Sequence, residues 1–287
     1  MMAGDALSLL HALEDRIAGF DSALVCYSGG VDSALVLAVA TRVLGQKAVG
    51  MTAVSPSLAP MELEMAVKTA KAMGARHELV NSQEIEKEAY QANGPDRCFH
   101  CKSELYDLSE KMQAKWGLAV TLNGTNIEDL GDYRPGLEAA KNAGVVSPLV
   151  EAGFGKADVR LVAEHLGVEV WDKPASACLA SRLPYGTRVT RERLSRIAAF
   201  EAALRRAGFS ELRVRYHELG LVDGKEQALA RVELGGAEMP KGLEQCAELV
   251  RWGKEAGFAY VTLDLGGYRK GSTNELLGAK RLPVVAG

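Results

Sequence analysis

The stretch Ser28-Gly-Gly-Val-Asp-Ser33 constrains this chain more than any other. It lies between the apolar run Ala23–Cys26 and a helix-like run, Ala34–Val43. A strand that feeds a glycine-rich turn opening a helix is a phosphate cradle. The glycines let backbone N–H groups approach an anion, and the helix N-terminus adds positive potential. No lysine follows the turn, so this is not the Gly-x-x-x-x-Gly-Lys-Ser/Thr nucleotide loop. The competing reading is an ordinary strand–helix turn. Two Ser, two Gly and an Asp in this order behind an apolar run argue against it.

A chain of 287 residues suits one large or two modest domains. Its 47% hydrophobic and 25% charged content is that of a soluble globular protein. A formal charge of -3 argues against a broad nucleic-acid-binding surface. No apolar run is long enough to span a bilayer, and Met1–Leu7 lacks the features of a signal peptide. A cytoplasmic enzyme without a membrane partner is expected. Five cysteines are too few for a disulfide framework at this length, so they read as core, nucleophile or metal ligands. Cys26 and Cys246 sit in apolar strand and helix patterns and read as core.

Through the first half, short apolar runs alternate with helical patterns. Strands are expected at Ala23–Tyr27, Ala48–Val54, His77–Val80 and Ala119–Asn123. Helices are expected at Ser33–Leu44, Pro60–Met73 and Lys102–Lys115. This alternation predicts an α/β fold, a parallel sheet with helices on both faces and a ligand beyond the carboxyl ends of its strands. Ser28 and Gly124 both follow strand ends, so they belong on one edge. After the Pro- and Gly-punctuated stretch Asp172–Thr187 the pattern changes. A basic amphipathic helix is expected over Thr190–Ala207, with its charges as a solvated face. Strands follow at Leu212–Tyr216, Ala228–Leu234 and Ala259–Leu265, with a helix over Met239–Ala256 between the last two. The expected division is an α/β domain over 1–180 and a small α+β domain over 181–287.

Four further segments carry chemistry. Gly124-Thr-Asn-Ile-Glu-Asp-Leu-Gly-Asp-Tyr-Arg-Pro-Gly136 supplies hard oxygen ligands, Asp129 and Asp132, suited to Mg²⁺ beside phosphates, and Arg134 suits a phosphate oxygen. Asx-rich loops are also simple turns. In Lys173-Pro-Ala-Ser-Ala-Cys-Leu-Ala-Ser-Arg182, Cys178 lies between two cations, which favour the reactive thiolate. A lone buried cysteine acting as a small hydrophobe is the alternative. In Arg97-Cys-Phe-His-Cys-Lys102, Cys98 and Cys101 lie one helical turn apart, a spacing that suits a metal, an Fe–S cluster or a redox pair. Cys178 would be a third ligand, leaving one iron of a four-iron cluster open. Finally, strand period two puts Arg213, Arg215 and His217 on one face, and Arg231 and Glu233 share a face of the next strand. If the two strands pair, the guanidinium groups cluster and suit a phosphorylated or carboxylated substrate. A solvated sheet face is the alternative.

The Ser-Gly-Gly-x-Asp-Ser form resembles the pyrophosphate loop (PP-loop) of N-type ATP pyrophosphatases, which split ATP into AMP and pyrophosphate. All five segments together, with Tyr185-Gly186, Ala230–Glu233 and Tyr260–Tyr268, resemble the LarE family across nearly the whole chain. Members are ATP-dependent sulfur transferases that help build the nickel-pincer nucleotide cofactor. The resemblance implies an adenine nucleotide α-hydrolase-like fold, a homo-oligomeric assembly as in relatives, and a small-molecule nucleotide substrate. A carboxylate of pyridinium-3,5-biscarboxylic acid mononucleotide is adenylylated by MgATP and then converted to a thiocarboxylate. It implies that Ser28, Gly29, Gly30, Asp32, Ser33, Gly124, Thr125 and Arg134 bind ATP, with Asp32 and Asp129 as Mg²⁺ ligands. Arg182, Arg213 and Arg215 would grip the substrate and Glu233 orient them. Two sulfur donors occur in the family. In one, the cysteine matching Cys178 gives up its own sulfur. In the other, three cysteines, here Cys98, Cys101 and Cys178, hold a [4Fe–4S] cluster carrying an extra sulfide. A tRNA thiolation enzyme of the same superfamily and an ATP-dependent amide-forming synthetase are the alternative readings.

Overall fold

The computed structural model of the chain describes residues 3–131, 135–174 and 176–269. These form two compact units, Met1–Ser176 and Ala177–Gly287.

The first unit is built on four parallel strands: β1 (Ala23–Cys26), β2 (Ala48–Val54), β3 (Arg76–Asn81) and β4 (Val120–Leu122), in the order β3-β2-β1-β4. The helices, in chain order, are α1 (Ala3–Ala18), α2 (Val31–Leu44), α3 (Pro60–Ala72), α4 (Glu88–Gln91), α5 (Arg97–Trp116), α6 (Pro135–Asn142), α7 (Pro148–Glu151) and α8 (Lys156–His165). Every residue of β1 is buried, as a parallel strand covered on both faces must be. Ala23 and Val25 join a core with Leu35, Val39, Leu13 and Val162, from helices α1, α2 and α8. Leu24 and Cys26 point the other way, onto Tyr106, Ala139 and Ala140 of α5 and α6. Edge strand β3 is shielded from further pairing by the exposed Arg76 and its pair with Glu78.

The expected strands are all present, and the parallel sheet with helices on both faces is the observed fold. Helix α1 was not anticipated. Helix α5 begins at Arg97, five residues before the expected start, so both Cys98 and Cys101 lie on it. The chain winds from β1 through β2 to β3 on one side and returns to β4 on the other side of β1. The winding therefore reverses between β1 and β4. The crevice beyond their carboxyl ends is where a doubly wound sheet binds its ligand.

In the second unit, α9 (Arg191–Arg206) starts from Thr190, whose side chain accepts from the Arg193 amide at 3.2 Å. Strands β5 (Leu212–Val222) and β6 (Lys225–Leu234) form an antiparallel hairpin longer than either expected strand. Asp223 and Gly224 close it with φ of 51° and 73°, the backbone of a type I′ turn. The expected single helix after β6 is two, α10 (Met239–Glu244) and α11 (Cys246–Glu255). Strand β7 (Tyr260–Leu263) then pairs parallel to β6. Val214, Tyr216, Ala230 and Val232 face one side of this sheet, where α9 packs with buried Ile197, Phe200 and Leu204. Helix α11 approaches so closely that a Cβ on Gly253 would come within 2.2 Å of Val261. The opposite face carries Arg213, Arg215, His217, Arg231 and Glu233.

Two readings are corrected here. Cys246 is exposed on the first turn of α11 and is not core, because the helix breaks at Gln245. Cys26 is core, and burial pushes its thiol up to about 11, with Lys102 opposing. The charges of α9 are not all a solvated face. Arg193 and Glu201 are buried.

Candidate functional site

The loop after β1 is shaped by its glycines and serines. Gly29 has φ 76°, and a Cβ there would lie 2.8 Å from the Ala66 Cβ of α3. The Ser28 amide donates to Ser33 Oγ at 3.1 Å, the two hydroxyls lie 3.1 Å apart, and Ser33 Oγ reaches the Gly30 carbonyl at 3.1 Å. Gly30 caps α2 without a side-chain bond, and a helix start of this kind suits an anion. On the other wall, a Cβ at Gly124 would stand 2.6 Å from the Ser33 nitrogen and 2.9 Å from the Asp32 carbonyl carbon. Ser28–Ser33 and Gly124 therefore meet backbone to backbone at one edge of the sheet. Thr125 is turned beside them, its amide donating to Asn123 Oδ1 at 3.0 Å.

Asp32 and Asp129 are joined through Asn126. Its Nδ2 donates to Asp32 Oδ1 at 2.9 Å, and its amide donates to Asp129 Oδ2 at 3.4 Å. Burial, with Asp129 adding to it, raises the Asp32 carboxyl above the ordinary carboxylate value, against the pull of Asn126 and Lys156. Lys156 Nζ lies 3.7 Å from Asp129 Oδ1. A carboxylate pair under mutual repulsion beside an anion cradle fits Mg²⁺, which uses one or two protein carboxylates and takes its other ligands from phosphate and water. Asp132 and Arg134 lie outside the described residues. Sequence reading missed Asn126 and Lys156. Asn126 stood in the segment as an Asx-turn residue, and Lys156 is the first residue of α8, with nothing local to mark it.

Cys98 is exposed and Cys101 half-exposed on the first turns of α5. Both thiols are carried by one helix. Among the described residues no three His, Cys, Asp or Glu side chains form a metal-binding group.

Cys178 belongs to the second unit and is exposed. Arg182, 2% exposed, makes a two-pronged pair with Glu201 at 2.8 and 3.0 Å. Its third nitrogen donates to the carbonyls of Ala177 at 2.6 Å and Cys178 at 3.1 Å. Arg182 thus fixes the backbone at Cys178 while its charge is matched by Glu201. Lys173, the other expected cation of that segment, is paired with Glu62 at 2.7 Å. Neither is the free cation expected to favour a thiolate at Cys178.

The second sheet's polar face is not a solvated one. Arg215 pairs with Glu233 through two bonds of 3.0 Å and donates to the Ser181 carbonyl at 2.8 Å. Glu233, with no exposed surface, also accepts from Arg231 at 3.0 Å. Arg231 pairs with Asp264 and donates to His217 Nε2 at 3.1 Å, which fixes the neutral ring with its proton on Nδ1. Burial, with Arg231 next, lowers the pKa of His217. Arg213 differs from its neighbours. Among the described residues it meets no carboxylate. It donates to the Leu212 carbonyl and the Tyr268 hydroxyl, both at 3.3 Å, and stacks 5.1 Å from the Tyr268 ring. Burial and the nearby Arg182 lower its pKa, with Tyr268 and Glu201 opposing. Glu201 was misread as a surface charge. Its position on the stripe Leu194, Ile197, Glu201, Leu204 is the signal that places it inward.

Residues 6–101 match the family model for asparagine synthase. An uncharacterized protein of Synechocystis sp. is 45% identical over 272 residues, 94% of this chain and 98% of its own length. The pyridinium-3,5-bisthiocarboxylic acid mononucleotide synthase of Lactiplantibacillus plantarum is 36% identical over 286 residues, 99% of both chains. An uncharacterized protein of Methanocaldococcus jannaschii is 27% identical over 246 residues, 86% of this chain and 90% of its own.

Proposed function

This chain belongs to the LarE family of ATP-dependent sulfur transferases, and from that premise we propose that it converts pyridinium-3,5-biscarboxylic acid mononucleotide to its thiocarboxylate, with AMP and pyrophosphate as co-products. A substrate carboxylate oxygen attacks the α-phosphorus of ATP. The bond from that phosphorus to the bridging oxygen breaks, and pyrophosphate leaves with the electron pair. A sulfur nucleophile then adds to the acyl carbon and AMP departs. Activation is needed because a free carboxylate is a poor acyl donor. The second carboxylate follows the same course.

Backbone and hydroxyls of Ser28, Gly29, Gly30 and Ser33 hold the phosphates, with Gly124 and Thr125 on the opposite wall. Asp32 and Asp129 would hold Mg²⁺, which when bound neutralises phosphate charge. Arg134 serves a phosphate oxygen near the AMP leaving group. Arg213 takes the substrate phosphate or carboxylate, because among the described residues of that sheet face it is the arginine that forms no ion pair with a carboxylate. Arg182 and Arg215 position it through Glu201 and Glu233. Cys178 is the residue at the acyl carbon. Cys98, Cys101 and Cys178 would hold a [4Fe–4S] cluster, which when bound supplies sulfide at an open iron. The sacrificial alternative takes the sulfur of Cys178 itself. We place this chemistry in the reducing cytoplasm, where free thiols persist, and in a homo-oligomer.

The observation that supports this reading best is the close approach of Gly124 to the Ser33 amide, which brings the second segment against the glycine-rich turn beside two carboxylates. The test is product analysis of anaerobically purified protein with MgATP and the dicarboxylate. AMP, pyrophosphate and thiocarboxylate are expected. The variant C178A should still release pyrophosphate, leaving AMP on the substrate carboxylate, and form no thiocarboxylate. ADP and orthophosphate as the sole nucleotide products overturn the reading. Iron content separates the donors: an iron-free protein that loses one hydrogen sulfide from Cys178 per transfer is sacrificial.

A further inference from the structure

The anion cradle Ser28–Ser33 contains no cationic side chain, although the group that leaves from it, pyrophosphate, carries several negative charges. The fold brings a cation there from 144 positions along the chain. Lys173 Nζ donates to the Gly29 carbonyl at 3.1 Å and to Glu62 Oε2 at 2.7 Å. Its side chain is 14% exposed, and Glu62, on the first turn of α3, is 24% exposed. Lys173 is also held from behind. Arg160 donates to the carbonyls of Asp172 and Lys173 at 3.5 and 3.4 Å, and Pro174 fixes the next backbone angle.

The loop does not need this ammonium for its shape. The left-handed Gly29 packed on Ala66 and the Ser28–Ser33 hydroxyl contacts already define it. A lysine is a point charge with three rotatable donors on a flexible stem, suited to changing partners. Exchanging one carboxylate for a polyphosphate gives that charge more anionic oxygens to meet, and charge-assisted bonds to phosphate are among the strong ones.

We propose that Lys173 binds the β- and γ-phosphates of ATP and the departing pyrophosphate, and that Glu62 is its partner while the loop is empty. The inference rests on α–β cleavage of ATP as argued above. In it, Glu62 competes with pyrophosphate for one ammonium and so favours product release.

The test is calorimetric binding of inorganic pyrophosphate and of AMP, each with Mg²⁺, to the full-length wild-type protein and to K173Q, K173R and E62Q. K173Q should weaken pyrophosphate by about tenfold or more, the loss of one charge-assisted bond, and leave AMP within about twofold. K173R should recover part of that loss, and E62Q should bind pyrophosphate more tightly than wild type. Unchanged pyrophosphate binding in K173Q overturns the proposal. So does an equal loss for both ligands with a lowered Tm, which is the signature of a brace. If K173Q does not fold, folded E62Q with wild-type pyrophosphate affinity overturns it. Failure of the underlying reading looks different: wild-type protein would bind no pyrophosphate and form ADP.

Discussion

The two units organise polarity in opposite ways. At the edge of the first sheet, glycines and a helix start stand beside two acids of like charge, Asp32 and Asp129, joined through Asn126. On the second sheet, the charges face one another. Arg182 with Glu201 and Arg215 with Glu233 are buried and matched bond for bond, and Arg213 meets no carboxylate among the described residues. Opposite charges paired with one another make a rigid platform, whereas like charges held side by side suit a receptor for a cation. The platform's pairs hold their geometry because leaving either partner alone in low dielectric is costly.

That contrast is open to direct attack. The largest effect is expected from E233A, which strips two arginines of their shared carboxylate. Loss of one partner of a buried pair costs about 3–5 kcal/mol, and urea unfolding should show it. R213A, on the same face, should leave unfolding nearly unchanged and weaken substrate by about tenfold to a hundredfold, as loss of a charged hydrogen bond does. If R213A unfolds as readily as E233A, Arg213 belongs to the platform.

G124A tests the other side. Its Cβ must displace backbone at Ser33, an overpacking of about 1–3 kcal/mol, so nucleotide affinity should fall by about tenfold to a hundredfold. Substrate binding at Arg213 serves as the control. Equal losses in both would mean that the nucleotide crevice and the arginine face are not separate receptors.

The smallest effect concerns Asp32. Its folded-state pKa lies above the ordinary value, so the protonated form is the one that folding favours. That contribution is present below the unfolded pKa of ~4 and is lost as pH rises through the folded value. D32N should therefore be slightly more stable than wild type at neutral pH, and the gap should close on acidification. Thermal unfolding at several pH values checks the sign. MgATP should stabilise wild type and not D32N. A D32N protein less stable than wild type at pH 7 would remove the strain argument.

How much of this was legible differs between the units for a physical reason. The cradle was readable because a local backbone conformation needs local residues: glycine where φ is positive, glycine where chains touch, serine beside a helix start. The parallel sheet was readable because strands buried on both faces, such as Ala23–Cys26, are continuous apolar runs. The pairing on the second sheet was readable only as same-face arginines. Its partner Glu201 lies on a helix whose charges look solvated until Leu194, Ile197 and Leu204 are placed on one stripe with it. Asn126, Lys156 and Lys173 act through space, over separations such as the 94 residues between Asn126 and Asp32, and no local pattern announces them. Cys246 misled because helical periodicity continues across Gln245 although the helix does not.

One contact has a meaning for the lifetime of the molecule. Arg182 grips the main chain at Ala177 and Cys178 and leaves the thiol to itself. The seat is therefore indifferent to what occupies it. A cysteine, a mixed disulfide or a dehydroalanine would each sit on the same two carbonyls, so a molecule whose sulfur had been removed would keep its architecture, and a spent chain would be told from a fresh one by mass alone.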